Sequence, residues 1–523
     1  MERKRFCITG LLIFFCLFIS TFQVEGDNYL ILEYSTYLGG NGTEGHGILF
    51  FNSSDQLIVV SETSSTNYPL LNPYQNSNHG VRDITISLHA WKENILTYST
   101  FFGGDGDDFV SRAIMNSKGQ IIMVGVTDSS DFPLINSLAI NSTGRDVFIV
   151  IFDPQISNFT FSSLLGSASN YYGINVCIDS LDNIIISGTT DSESFSIING
   201  YQTSIKGDSD GFIMKLSSDG QEILYSTYFG GSMDESIKAV TVDGQNNIIF
   251  TGVTQSTDFP IFNAYLADKS VSIWDIFIVK MTANGQQVIF STFHGGTRVW
   301  GPQIVRCDSL DNILVVGETN SIDFPLLKAL QNTYGGGEFD VFLSKFNPNG
   351  SELDYSTFLG GKQSETPISF TLDHNLLFIT GCTDSLDFPQ VNEYQLGKSG
   401  AVDGFMTAVT TDGQKLAFST FFGDLGNDYI SDLIFLPEVS HSFFISGHTS
   451  SRNFPLHEEY QSSYGGGEFD LFISQFSLDL SFLSASTEST STKSTNIMKT
   501  PVLELFLTIP TFFLVIIRKR INK

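Results

Sequence analysis

The residues able to do chemistry are few and scattered. Eight histidines stand at positions 46, 79, 89, 294, 374, 441, 448 and 457. No two follow the His-x-x-x-His spacing that sets two imidazoles on one helix face toward a metal. No Gly-x-Ser-x-Gly elbow presents a nucleophile. Gly335-Gly-Gly337 and Gly465-Gly-Gly467 lack the following lysine and helix of a phosphate loop. Asp105-Gly-Asp107-Asp108 offers carboxylate oxygens suited to Ca²⁺, but lacks the other spaced ligands and the closing glutamate. A solvated turn is expected there. No catalytic residue, metal ligand or cofactor is expected, a structural calcium at this turn being the one exception weighed. Trp274, His294 and Trp300 differ, because they break the pattern around them. Indole and imidazole rings on one rim suit a protein anchor or stacking on a sugar ring. These three are the candidate ligand-binding residues.

What must position them is a repeat. A phrase of the type Tyr34-Ser-Thr-Tyr-Leu-Gly-Gly40 recurs from Tyr98, Phe161, Tyr225, Phe290, Tyr355 and Phe418, at intervals of 63 to 65 residues. A second phrase, Asp-Phe-Pro or a relative, centres on Tyr68, Phe132, Phe195, Phe259, Phe324, Phe388 and Phe454. A third, Asp-x-Phe-Ile or a relative, begins at Asp83, Asp146, Asp210, Asp275, Asp340, Asp403 and Asp470. A fixed period means one supersecondary unit per repeat. Each unit reads as four strands, A to D, rich in β-branched and aromatic residues and separated by Gly/Asn/Asp turns. The repeated aspartates are expected to bond turn backbone, the repeated aromatics to pack between units, and the Gly-Gly pairs to supply positive φ.

The phase of the repeat predicts closure. The chain opens with an orphan strand D at Tyr34–Gly40 and ends with strands A, B and C of its seventh unit. Pairing the two ends makes an all-β, seven-bladed β-propeller of four-stranded blades and leaves no open edge. The pieces Tyr225-Ser-Thr-Tyr-Phe-Gly-Gly231, Gly252-Val-Thr254, Asp258-Phe-Pro260 and Asp210-Gly-Phe-Ile213 resemble the seven-bladed β-propeller repeat family of secreted and surface proteins of bacteria and archaea. The resemblance spans about residues 34–476. It implies a propeller and a surface location, and no particular catalysis. Units one and three depart from the phrases and are expected to be less regular. In a propeller, Trp274, His294 and Trp300 fall toward one rim over blades four and five.

The chain has 523 residues, with 27 Lys and Arg against 56 Asp and Glu. A net charge of −29 repels phosphates and excludes nucleic acid as an expected partner. Residues 1–26, with a basic start and an apolar run from Phe6 to Phe22, read as a signal peptide. Residues 27–482 are the propeller, and 483–500 form a Ser/Thr-rich stalk. Residues 501–517 read as a membrane anchor or sorting segment, followed by a basic cytoplasmic tail at 518–523. Sequons at Asn41, Asn52, Asn141, Asn158 and Asn349 mark glycosylation positions. Cys177, Cys307 and Cys382 lie in apolar runs and read as buried thiols. Together these features predict a cell-surface, membrane-tethered module that binds proteins or glycans and is not an enzyme. A passive envelope component is the alternative, and an extracellular hydrolase or lyase stands behind it.

Overall fold

The computed structural model describes residues 30–479, except 139–143, 168–172, 194, 298–300, 374 and 438–441. The strands form seven separate four-stranded antiparallel sheets. Six are continuous in chain order: Ile48–Phe102, Asp108–Ser167, Asn175–Phe229, Glu235–Phe293, Gly301–Leu359 and Glu365–Phe422. The seventh combines strands A, B and C within Asp428–Leu478 with the first strand of the chain, Leu30–Leu38. Each strand A touches strand A of the next blade, and Asp428–Phe435 touches Ile48–Phe51, which closes a ring. The closing strand pairs Tyr37 with Phe472 and Leu38 with Leu471. Its register slips between Leu32 and Tyr34, as strand D of blade four slips opposite Lys280 and Met281. It is therefore a true strand D in the expected place.

Burial explains the composition. All seven residues of strand B in blade four, Ile248–Thr254, are buried, because the sheet packs on a neighbour through both faces. The aromatic of each Asp-Phe-Pro phrase is buried, and Phe259 stacks on Phe277 with centroids 4.6 Å apart. Each such ring contributes about 1.5–3 kcal/mol through burial. Strand A is only four residues long in blades one and three, the two units whose phrases depart most.

The blades are joined by repeated polar clasps. In blade three, Asp210 accepts hydrogen bonds from Lys206 N (3.0 Å), Gly207 N (3.2 Å) and Gln202 Nε2. Gln202 in turn accepts from Gly230 N (3.0 Å), and Gly231 N donates to Glu235 of the next blade (2.7 Å). A Cβ on Gly230 would lie 2.3 Å from Glu235 Oε2 and 2.7 Å from Asp210 Oδ1. This corrects the expectation of positive φ. Neither Gly230 nor Gly231 adopts it; at least Gly230 is small because two carboxyls crowd beneath it. On the opposite face, Lys215, Lys280 and Lys345 pair with Asp179, Asp243 and Asp308, each at 2.8 Å. Lys280 also donates to Pro348 O of the following blade (2.9 Å).

The expected membrane-anchored localisation is corrected. Among the described residues no helix is long and apolar enough to cross a membrane. The segments read as signal peptide, stalk, anchor and tail (residues 1–26 and 483–523) lie outside the described residues.

Candidate functional site at the axial mouth

Seven strands A line the propeller axis, and the residues around that axis are not repeated. The middle position of the strand B phrase Gly-x-Thr shows this best. Around the ring it is Glu62, Val126, Thr189, Val253, Glu318, Cys382 and His448. Valine is the residue packing alone would choose. Glutamate and histidine carry a desolvation cost at such a position. Glu62 and His448 line a mouth on the face bearing the B–C and D–A loops. The mouth encloses about 520 Å³ and is lined by His46, Glu62, Arg82, Lys238, Gln303 and His448, among others.

Glu62 is 1% exposed. Its Oε1 lies 3.3 Å from His46 Nδ1. Burial pushes the Glu62 carboxyl up to about 8, against the pull of Arg82. Burial pushes the His46 imidazole down to about 3, and the positive charge of Arg112 adds to this. At neutral pH the pair therefore favours a protonated carboxyl beside an uncharged ring, a dyad able to pass one proton. Gly45 makes room for it, since a Cβ there would meet Glu62 Oε1 at 1.9 Å. Arg82 is held by a fork to Asp107 (2.7 and 2.8 Å) and lies over the Phe109 ring at 5.3 Å.

The other side of the mouth is aromatic and amphoteric. The His448 ring stacks on Tyr429, with centroids 4.6 Å apart and planes at 15°. Burial depresses the imidazole to about 4, so the ring is uncharged at neutral pH. Glu318 accepts from Gln303 Nε2 (3.1 Å) and Thr366 Oγ1 (2.9 Å), and burial raises its pKa. Burial lowers the pKa of Lys238, while Glu318 opposes the shift. The Lys238 ammonium makes no hydrogen bond or ion pair among the described residues. The mouth can thus donate from Lys238, exchange a proton through His46 and Glu62, and present the His448 ring.

The residues expected from sequence fall elsewhere. His294 is 0% exposed, bonds Ser344 Oγ through Nε2 (2.8 Å) and is edge-on to Phe324 and Phe346, both at 4.9 Å. It is a core histidine, which corrects its assignment to a ligand rim. Trp274 is half-buried against the core between blades four and five. Trp300 lies outside the described residues. Neither Trp274 nor His294 lines the mouth. Asp105 is occupied by Ser130 N (2.8 Å), Asp107 by Arg82, and Asp108 by Gly104 N (2.7 Å). Among the described residues no group of three or more His, Cys, Asp or Glu side chains could hold a metal ion. Asn41, Asn158 and Asn349 are exposed and Asn52 is half-buried; Asn141 lies outside the described residues. Cys177 is buried, while Cys307 and Cys382 are half-buried, and all three are free thiols.

No family profile and no curated protein matches this chain. Solved propellers are similar to it in outline only. A protein of unknown function from Dyadobacter fermentans is 8% identical over 86% of this chain and 100% of its own, with a TM-score of 0.42. A PL25 ulvan lyase is 11% identical over 80% and 92%, with a TM-score of 0.40. The K499G mutant of NanB sialidase from Streptococcus pneumoniae is 10% identical over 87% and 71%, with a TM-score of 0.35. The chain is a seven-bladed β-propeller by its own strand order, and likenesses this distant carry no argument about its function.

Proposed function

We propose that this propeller is a binding module that takes the end of a sugar chain at its axial mouth. One observation carries the reading: where packing calls for valine, as at Val126 and Val253, two blades place Glu62 and His448 around one cavity, and a third sets Glu318 behind Gln303 at its wall. Unrepeated polar residues in a repeated frame cost stability, so a role other than folding is the reason to keep them. A cavity of about 520 Å³ suits one or two sugar rings better than a protein face. The His448 ring, backed by Tyr429, offers an aromatic surface, and Lys238 and Gln303 offer hydrogen bonding to hydroxyl or acidic groups. The resemblance of the repeat phrases to surface propellers fits a recognition role.

The test is thermal unfolding of the full chain against neutral and acidic oligosaccharides. A ligand at about 100 times its Kd adds about 2.7 kcal/mol to the folded state. A shift removed by Lys238→Ala and His448→Ala supports the mouth. No shift across the panel leaves the passive envelope component as the better reading. A second reading, a hydrolase or lyase, rests on the His46–Glu62 pair at 3.3 Å. Release of reducing ends by the native chain, lost in Glu62→Gln while binding persists, would establish it in place of simple binding.

A further inference from the structure

Below the mouth lies a second space, an axial channel of about 430 Å³ walled by the strands A. Four side chains line both spaces: His46, Arg112, Asn175 and Gln303. Among the residues lining the channel, the charges are Arg112 and Arg306 against one carboxylate, Asp432, with His46 uncharged. Asp432 is already occupied. It accepts from Leu49 N (2.9 Å), Leu433 N (2.9 Å) and Ser369 Oγ (3.1 Å), and so ties blades six, seven and one together. No ion pair joins Asp432 to either arginine among the described residues.

The two guanidiniums are under-used. Among the described residues, Arg112 donates only to Ser111 O (3.0 Å), and Arg306 only to Val305 O (3.1 Å). A guanidinium has five donors, so several on each remain for water or an anion. Arg112 belongs to blade two and Arg306 to blade five, nearly opposite in a ring of seven. Arg112 pairs with Val124 and Arg306 with Leu314, which sets Arg306 two residues deeper along the axis, roughly 7 Å. Each is crowded by protein yet open to the channel, and burial lowers the pKa of both. The positive charge of Arg306 lowers Arg112 further. Two like charges facing one space repel until an anion comes between them.

We propose that the channel is a binding site for a tetrahedral oxyanion, sulfate or phosphate, bridged between Arg112 and Arg306. Each guanidinium offers the fork that matches two oxygens of such an ion. The ion could be free or the terminal ester of a sugar held at the mouth, because the two spaces communicate. The site does not depend on the mouth reading.

The test is calorimetric titration of the full chain with inorganic sulfate and phosphate, then with galactose 6-sulfate. One-to-one binding of the inorganic ions is expected, weakened at least tenfold in both Arg112→Gln and Arg306→Gln, with Arg306→Lys between. Lys118→Ala, at an exposed turn outside both spaces, should leave it within twofold. Tighter binding of galactose 6-sulfate identifies a sugar ester as the source, and its exclusion identifies the free ion. Absence of binding to the native chain at 10 mM (about −2.7 kcal/mol on the affinity scale) overturns the proposal. Binding that persists unchanged in both glutamine variants overturns it too. The thermal midpoint of each variant separates a lost site from a lost fold.

Discussion

The blade junctions and the axial mouth are built from the same residue types to opposite ends. At a junction such as Gln202, Asp210 and Glu235, carboxyls are buried under backbone donors in an arrangement that recurs from blade to blade. At the mouth, Glu62 is buried too, but no two blades present the same set. The first arrangement holds the ring. The second is free to vary because the first does not depend on it. In a repeat protein, then, what recurs reports on stability and what departs reports on function.

The comparison can be broken first at the ring itself. Removing the closing strand, Leu30–Leu38, leaves blade seven with three strands and an open edge. Loss of a single cooperative urea transition, with association on size exclusion, is expected. A native-like transition in that truncation would show that closure contributes little. Next in size is Lys280→Ala, which removes the ion partner of Asp243 and leaves its carboxylate to Gln245 N, Asn247 N and Asn247 Nδ2. A loss of about 1.5–3 kcal/mol in urea unfolding is expected, against about 0.5 kcal/mol or less for the exposed Lys118→Ala.

The third test uses pH. Burial raises Glu365 at a junction to about 7 and Glu62 at the mouth to about 8, from 4.5. A carboxyl raised in the folded state binds its proton better there. Its contribution is complete below about pH 4.5 and is lost as pH climbs through 7 or 8. Glu365→Gln and Glu62→Gln should each flatten the fall of the thermal midpoint between pH 5 and 8.5. Only Glu62→Gln should also change ligand binding. The smallest effect belongs to Lys238→Ala: a change in stability within about 0.5 kcal/mol, with loss of oligosaccharide binding. A large loss of stability instead would make Lys238 part of the frame.

The frame was legible because its signals are periodic. Three phrases and an orphan strand D were enough to derive seven blades and their closure. The mouth was less legible, because Glu62 and His448 sit inside a phrase whose flanking residues recur. The variable middle position of Gly-x-Thr was the available signal. His294 was misplaced for a related reason. It replaces the aromatic found at Phe229, and it inherited that residue's burial along with its position. A departure from a repeat points to function only where the repeat faces solvent or a cavity. Arg112 and Arg306 carried no sequence signal, since only the ring sets blades two and five across one axis.

Closure by the first strand also shapes the birth of the molecule. Ser35 and Ser474, which bond across the closing pair, are 439 residues apart. At about 5–20 residues per second, synthesis takes about 20–90 s to deliver that partner. Blades one to six can each pair with strands made moments earlier. Leu30–Leu38 waits through all of them as an unpaired apolar ribbon. Until Asp470–Leu478 is made, that edge stays open, and the ring closes only when its first strand docks against its last.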